Sequence, residues 1–465
     1  MRYAYFTEEV RASEALAAGS LMERAAFGVA TIAIRLLQDS VGQVVGSKIL
    51  ILVGTGDNGG DALFAGANLA GRGAQVTALL MGNGAHAKGL AALRRTQSEI
   101  VVLGDLVDLT QFNLVIDGIL GIGAKGGLRE DAARIVESLS EESIILAVDL
   151  PSGVDADSGE TPGAHVTADV TAVCGALKIA NVVAPAAAAA GTSELIEIGL
   201  EFPANIARVE IWQGVDVRDS LPQLSSDLDK YRRGVVGVIA GSKEFPGAGA
   251  LVCAGALAAG VGMVRYLGEA SETVIGEHPE VVRATGRVQA WVLGSGLVDI
   301  SLTGDVALAI ASAQPIVIDA GALHLLPPGR KDCLITPHAG ELANLLGVER
   351  DEIERRSLHF ATLAAETFGV NVLLKGSTTL VVSPQRRMVA NPTGTPRLAT
   401  AGSGDVLAGV IGALAASGVP LFDAAVIGAW VHGLAGRLMR GSGASDIAAE
   451  IPRAIESLQW QAVRL

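Results

Sequence analysis

Aromatic residues are scarce in this chain, at 4% of 465, and cysteine is scarcer, at three. Cys174, Cys253 and Cys333 are widely spaced, odd in number and form no C-x-x-C pair. They offer no disulfide framework and read as reduced, buried thiols in a cytoplasmic protein. Positive charge is also in short supply. Lys and Arg total 35 against 49 Asp and Glu, a net charge of −14. That balance argues against non-specific binding of nucleic acid or of an acidic membrane. Long apolar runs are missing as well. The uncharged stretch 406–422 comes closest to a membrane span, but it falls short, is rich in Gly and Ala and contains Pro420. It reads as a buried helix. The first residues reach Glu8 and Glu9 too soon for a secretory signal.

What the chain does contain is small and aliphatic. Half of it is hydrophobic and 58 residues are glycine, a composition suited to closely packed α/β folds. The length allows about three domains, or two large ones. In the first third, β-branched runs ending in Gly or Asp alternate with Ala-rich stretches. This predicts strands over 48–53, 75–80, 114–116, 144–148 and 170–173, with a helix over 62–71. The alternation returns with strands over 235–240, 263–266, 290–293, 316–318, 333–335, 371–374 and 379–382. Such alternation predicts parallel strands joined by crossover helices. Between the halves, 200–234 shows no sustained period, so the boundary is expected near 205–225. Two α/β domains in tandem, 1–212 and 213–465, are the expectation.

In the first half, Ile49–Val53 runs into Gly54-Thr-Gly-Asp-Asn-Gly-Gly-Asp61, a strand, a glycine-rich turn and a helix start. This topology presents free amides to a phosphate or ribose. A bare G-x-G is a weak signal that a tight turn would satisfy, but here the glycines interleave with Asp57, Asn58 and Asp61. Two further strands end in carboxylates, Asp117 before a loop reaching Gly127 and Asp149 before Leu150-Pro-Ser-Gly153. Ligands of an open parallel sheet sit beyond the carboxyl ends of its strands, so both should converge on the Asn58 turn. Either alone could merely cap a turn. Asn58, Asp117 and Ser152 offer only oxygen donors, which suit a hard cation.

In the second half, Thr400-Ala-Gly-Ser-Gly-Asp405 opens a long Ala- and Gly-rich run. Two glycines that turn amides inward, at the start of a helix, make an anion hole. Asp405 stands where a carboxylate could take a proton from a hydroxyl attacking a bound phosphate. Small residues at strand ends recur in Gly241-Ser242, Gly294-Ser-Gly296 and Asp319-Ala-Gly321, followed by Thr336-Pro-His-Ala-Gly-Glu341 and Lys375-Gly-Ser-Thr378. Lys375-Gly-Ser-Thr378 lacks the leading glycine of a Walker loop and could be a hairpin edge. His338 and Glu341 do not have the spacing of a zinc protease site. His432 lies in an apolar stretch and reads as a satisfied core histidine.

Gly56-Asp-Asn-Gly-Gly-Asp61, Ile116-Asp-Gly-Ile-Leu-Gly-Ile-Gly123 and Val148-Asp-Leu-Pro-Ser-Gly-Val154, in this order, resemble the epimerase domain of NAD(P)H-hydrate repair enzymes. The second half resembles the ribokinase-like dehydratase domain of the same family. The resemblance spans nearly the whole chain. It implies a Rossmann-like three-layer αβα sandwich followed by a ribokinase-like α/β domain. In the first domain, Asn58, Asp117 and Ser152 would hold K+. Asp57, Asn58, Gly59, Gly60 and Asp61, the loop Gly121, Ile122, Gly123, Ala124, Lys125, Gly126 and Gly127, and Asp149 would hold the hydrated nucleotide. Asp149 would move the proton as the R and S forms of NADHX and NADPHX interconvert at carbon 6.

In the second domain, Ala248, Gly296 and His338 would contact the hydrate, and Lys375, Gly376, Ser377, Thr378, Thr379, Asn391 and Gly394 the nucleotide. Gly402, Ser403 and Gly404 would hold the transferring phosphoryl group, and Asp405 would activate the ring hydroxyl. ADP would be consumed with Mg2+, giving AMP, phosphate and NAD(P)H. A homo-oligomer is expected. Three positions depart from the family pattern: Asp57 where a second Asn is common, Ala62 where Gly is common, and Ala339 where Pro is usual. The competing readings are an ATP-dependent kinase of a small vitamin or sugar alcohol, and a first half that only binds a nucleotide or a protein.

Overall fold

The computed structural model describes residues 1–223, 229–298, 301–302, 304–327 and 329–460. The chain divides into two compact units, Tyr3–Val209 and Glu210–Leu465, with Met1–Arg2 grouped with the second. The stretch 224–225, inside the expected boundary region, lies outside the described residues.

Seven strands form the sheet of the first unit, in the spatial order Glu99–Val102, Gln75–Leu80, Lys48–Val53, Leu114–Gly118, Ile144–Val148, Val170–Cys174 and Thr192–Ile196. Every neighbouring pair is parallel. Such strands are covered on both faces and so read as continuous aliphatic runs. Ile49, Ile51 and Val53 face one way and pack with helices Leu21–Val41 and Asp57–Ala70. Leu50 and Leu52 face the other, with Val115, Ile135 and Val136. This is the three-layer sandwich. Chain order reverses direction between Lys48–Val53 and Leu114–Gly118, a switch point where the loops after the two strands splay apart and leave room for a ligand.

The second unit has a sheet in the order Met263–Tyr266, Val235–Ile239, Ala290–Leu293, Ile316–Ile318, Cys333–Ile335, Asn371–Leu374, Thr379–Val382 and Met388–Asn391. The first six run parallel and the last two add antiparallel pairs. The arrangement is ribokinase-like. Its centre is the helix Ser403–Ala416, buried along nearly its whole length, as an all-round apolar helix must be. It crosses helix Pro246–Ala258 with almost no space between backbones. A Cβ on Gly409 would lie 2.1 Å from the Val252 carbonyl oxygen, and one on Gly255 2.2 Å from that of Val406. Among the described residues no single helix is long and apolar enough to cross a membrane.

Three expectations needed adjustment. The first unit's helix after the glycine turn starts at Asp57, not at 62; burial of its inner face outweighs the poor helix propensity of Gly59 and Gly60. The strand predicted over 114–116 continues through Asp117 and Gly118. The unperiodic stretch 200–234 holds a strand, Arg208–Ile211, and a helix, Gly214–Ser220. Both are too short to show a period.

Candidate active sites

A cavity of about 420 Å³ opens beyond the carboxyl ends of the first unit's central strands. Asp57, Asn58 and Asp61 from one helix N-terminus, Gly121, Ile122, Gly123 and Ala124 from the next loop, and Asp149 all line it. Beneath lies a cluster built on the fully buried Asp117 and Ser152. Asp117 Oδ1 accepts from the Ser152 hydroxyl at 2.6 Å and Oδ2 from the Ser152 amide at 2.8 Å. The Ser152 hydroxyl in turn accepts from the Leu120 amide at 2.8 Å, and Asn58 Nδ2 donates to the Leu120 carbonyl at 2.8 Å. Burial raises Asp117 to about 6, against the hydrogen bonds from Ser152 and Ile119.

Other predicted residues stand elsewhere. Gly59 and Gly60 are buried in the helix, Gly60 against His86. Lys125 turns to Asp155 and Asp157, at 2.9 and 3.5 Å. Gly127 abuts the backbone of Gly163 and Ala164, and Gly126 takes a left-handed φ of 83°. None of these five lines the cavity. Ala62 packs its methyl against Gly118.

Four residues outside the quoted motifs complete this site. Arg11, Glu14 and Cys174 line the cavity, and Lys178, 1% exposed, forms an ion pair with Asp149 Oδ1. No signal in the sequence distinguishes them, since a lone lysine after an apolar strand normally reads as solvated. Asp61 Oδ1 is buried without a hydrogen-bond partner among the described residues. Burial, then the nearby charges of Asp149, Asp57 and Glu14, push Asp61 up to about 8. Asp61 therefore carries its proton at neutral pH.

A second cavity, about 790 Å³, belongs to the second unit. His338, Lys375, Gly376, Ser377, Thr379, Asn391, Gly394, Ser403 and Gly404 line it. Lys375–Thr378 is the turn between antiparallel strands Asn371–Leu374 and Thr379–Val382, so the hairpin and the cavity wall are one feature. Thr378, Gly402, Asp405, Ala248 and Gly296 are not among the lining residues. Ala248 and Gly296 are neighbours: a Cβ on Gly296 would lie 2.5 Å from that of Ala248.

Gly402 caps helix Ser403–Ala416 in the left-handed region, φ 86°. The Ser403 amide turns back to the Thr400 carbonyl at 3.3 Å, which leaves the first-turn amides of Gly404 and Asp405 pointing out of the helix end. A Cβ on Gly404 would lie 3.2 Å from Lys375 Nζ, so an ammonium and a helix N-terminus share one spot. Lys375 donates to Asp319 Oδ1 at 2.9 Å and lies 3.7 Å from Glu341. Asp319 also accepts from Thr336 at 2.8 Å and Ser295 at 3.1 Å. Burial alone would lower Lys375, but Asp319, Glu341 and Asp405 outweigh it and hold its charge. Burial raises Asp405 to about 6, the Asp319 charge adds to the rise, and Ser295 and Lys375 oppose it.

Asp319 stood in a quoted motif without a role. Ala339 occupies the first turn of helix Ala339–Leu346, where Pro would also fit. A reciprocal cap fixes that helix start: His338 N donates to Glu341 Oε2 at 2.8 Å, and Glu341 N to His338 Nδ1 at 3.2 Å. His432 is a buried histidine held by Ser403, with Nε2 3.0 Å from the Ser403 carbonyl oxygen. Burial lowers it to about 4, so it is neutral.

Two α/β units, each with a cavity walled by the loops and helix starts that follow its strands, give the chain two candidate sites. The family model described as YjeF-related protein N-terminus matches residues 18–180, and that of NAD(P)H-hydrate dehydratase matches 236–456. The chain is 38% identical over 481 residues to the bifunctional NAD(P)H-hydrate repair enzyme Nnr of Mycobacterium leprae, covering 99% of each. It is 39% identical over 447 residues to the Nnr of Mycobacterium tuberculosis H37Rv, covering 91% of each. Among solved structures, an ADP/ATP-dependent NAD(P)H-hydrate dehydratase of Bacillus subtilis aligns with TM-score 0.48 and 24% identity, over 55% of this chain and 100% of that one. The chain belongs to the family of bifunctional NAD(P)H-hydrate repair enzymes. It joins an NAD(P)HX epimerase to an NAD(P)HX dehydratase.

Proposed function

We propose that the dehydratase consumes ADP and that Asp405 is its base. The observation that carries this reading is Asp405 in the first turn of helix Ser403–Ala416, behind the left-handed Gly402 and beside Lys375. Asp405 takes the proton of the carbon 6 hydroxyl as its oxygen attacks the β-phosphate of ADP. AMP departs. The amides of Gly404 and Asp405, with the Lys375 ammonium, hold the charge of the phosphoryl group in transit. Loss of phosphate from carbon 6, with a proton from carbon 5, then gives NAD(P)H. Gly376, Ser377, Thr379, Asn391 and Gly394 hold the nucleotide, and His338 the hydrate with Ala248 and Gly296. Mg2+ would accompany the ADP phosphates and neutralise their charge.

In the epimerase, Asp149 moves the proton and Asp57, Asp61 and the Gly121–Ala124 loop seat the nucleotide. Asn58, Asp117 and Ser152 fit K+: their donors are oxygens, and one buried carboxylate supplies a single negative charge. The cation would fix the Leu120–Ala124 loop through this cluster. A homo-oligomer in the cytoplasm completes the proposal; its three thiols are buried and free.

The test is recovery of reduced-nicotinamide absorbance from mixed R and S hydrates, with Mg2+ and either ADP or ATP. Complete recovery with ADP is expected. Recovery of the S fraction alone would leave the first unit a binding module, and turnover of a small alcohol with ATP would favour the kinase.

A further inference from the structure

Asp149 sits in an unusual place for an aspartate. Its backbone takes a left-handed φ of 69°, which costs a residue with a side chain about 1–3 kcal/mol unless its surroundings impose it. The adjoining strand and turn do impose it. The Asp149 amide donates to the Ala172 carbonyl at 2.8 Å. Asp149 Oδ1 accepts from the Cys174 amide at 3.0 Å and from the Lys178 ammonium. Lys178 is itself fixed: Nζ also donates to the Cys174 carbonyl at 3.0 Å, and its backbone amide to Asn181 Oδ1 at 2.8 Å. One carboxylate oxygen is thus fully occupied from behind, while the residue lines the cavity.

The charges around it explain why a buried lysine belongs here. Glu14 faces the cavity from helix Thr7–Leu16, and Asp57 and Asp61 face it from helix Asp57–Ala70. Cys174 lies on the adjoining strand and Arg11 on the cavity wall. Three other carboxyl groups crowd Asp149, and a seated nucleotide would bring phosphate charge as well.

We propose that Lys178 is the positioning residue of the epimerase: it pins Asp149 Oδ1, so that Oδ2 meets the substrate as the proton acceptor. This rests on the reading of Asp149 as the proton-transfer group. Lys178 touches no substrate and acts through Asp149 alone.

The experiment follows interconversion of R- and S-NADHX by the full-length enzyme without ADP, across pH, for wild type, Lys178→Met, Lys178→Gln and Asp149→Asn. Melting temperature is recorded for each. Lys178→Met is expected to lower kcat about 100-fold, within the range of general acid–base catalysis, with KM changed less than about three-fold. Lys178→Gln keeps a donor to Asp149 but no charge, and its kcat should fall between that of wild type and that of Lys178→Met. Wild-type kcat and pH profile in both Lys178 variants, beside an inactive Asp149→Asn, would overturn the inference and leave Asp149 in place. A Lys178→Met variant that melts early, with Lys178→Gln fully wild-type in kcat and pH profile, would also overturn it, because Lys178 would then serve the fold alone. An active Asp149→Asn would sink the underlying reading, and this one with it.

Discussion

Lys375 Nζ sits 2.9 Å from Asp319 Oδ1 and at the same helix end as Asp405. It balances Asp319, Glu341 and Asp405, three carboxylates around one ammonium. Lys375→Met should therefore weaken ADP binding about 10-fold or more in calorimetry. It should also move the acid limb of dehydration to higher pH, because Lys375 is one of the groups that hold Asp405 down.

Asp405→Asn should reduce dehydration of S-NADHX by about 10²–10⁴-fold, while ADP affinity stays within a few-fold. The sign in pH follows from Asp405 lying at about 6. A base must be ionised, so wild-type kcat should hold steady above pH 7 and fall as pH drops through 6. Normal turnover by the variant would remove Asp405 from its role.

Much of this site can be read in the sequence because it is contiguous: strand, small residues and helix start follow one another at 400–405. The strands were legible for the same reason, since buried parallel strands leave unbroken aliphatic runs. Lys178 and Arg11 were not. Arg11 reaches the first cavity from helix Thr7–Leu16, while Lys178 lies buried behind it, and what makes Lys178 special is a partner 29 residues away. The Asp57 helix start was misplaced because two glycines argued locally against it. The short elements within 200–234 carry no period at all.

Asp61→Asn is expected to change stability in a pH-dependent way. Asp61 is raised to about 8 in the folded chain from an ordinary 3.8. Its burial is therefore compatible with folding below about pH 4 and grows costly as pH rises toward 8. The variant needs no proton to be neutral. Its melting temperature should match wild type at acid pH and exceed it increasingly toward pH 8.5.

Ser152→Ala removes a hydroxyl that donates to Asp117 and accepts from Leu120. The epimerase should need about 10-fold more KCl for half-maximal rate, and dehydration of pure S-NADHX should be unaffected. Equal KCl requirements in both proteins would argue against a cation at this cluster.

Gly409→Ala should lower the melting temperature. The added methyl would fall 2.1 Å from a backbone oxygen of the crossing helix. Overpacking of that kind costs about 1–3 kcal/mol or more.

The left-handed backbone at Asp149 also restricts how this gene can drift. Glycine, asparagine and aspartate tolerate that conformation; most other side chains strain it. Asparagine and glycine codons lie one base from those for aspartate, so the mildest replacements for the fold are also the easiest to reach by mutation. Both delete the charge. A lineage that loses selection for the epimerase should carry Asn or Gly at this position together with a neutral residue at 178, because the buried Lys178 ammonium would otherwise lose its partner; that paired change is a scar by which retired copies could be told from working ones.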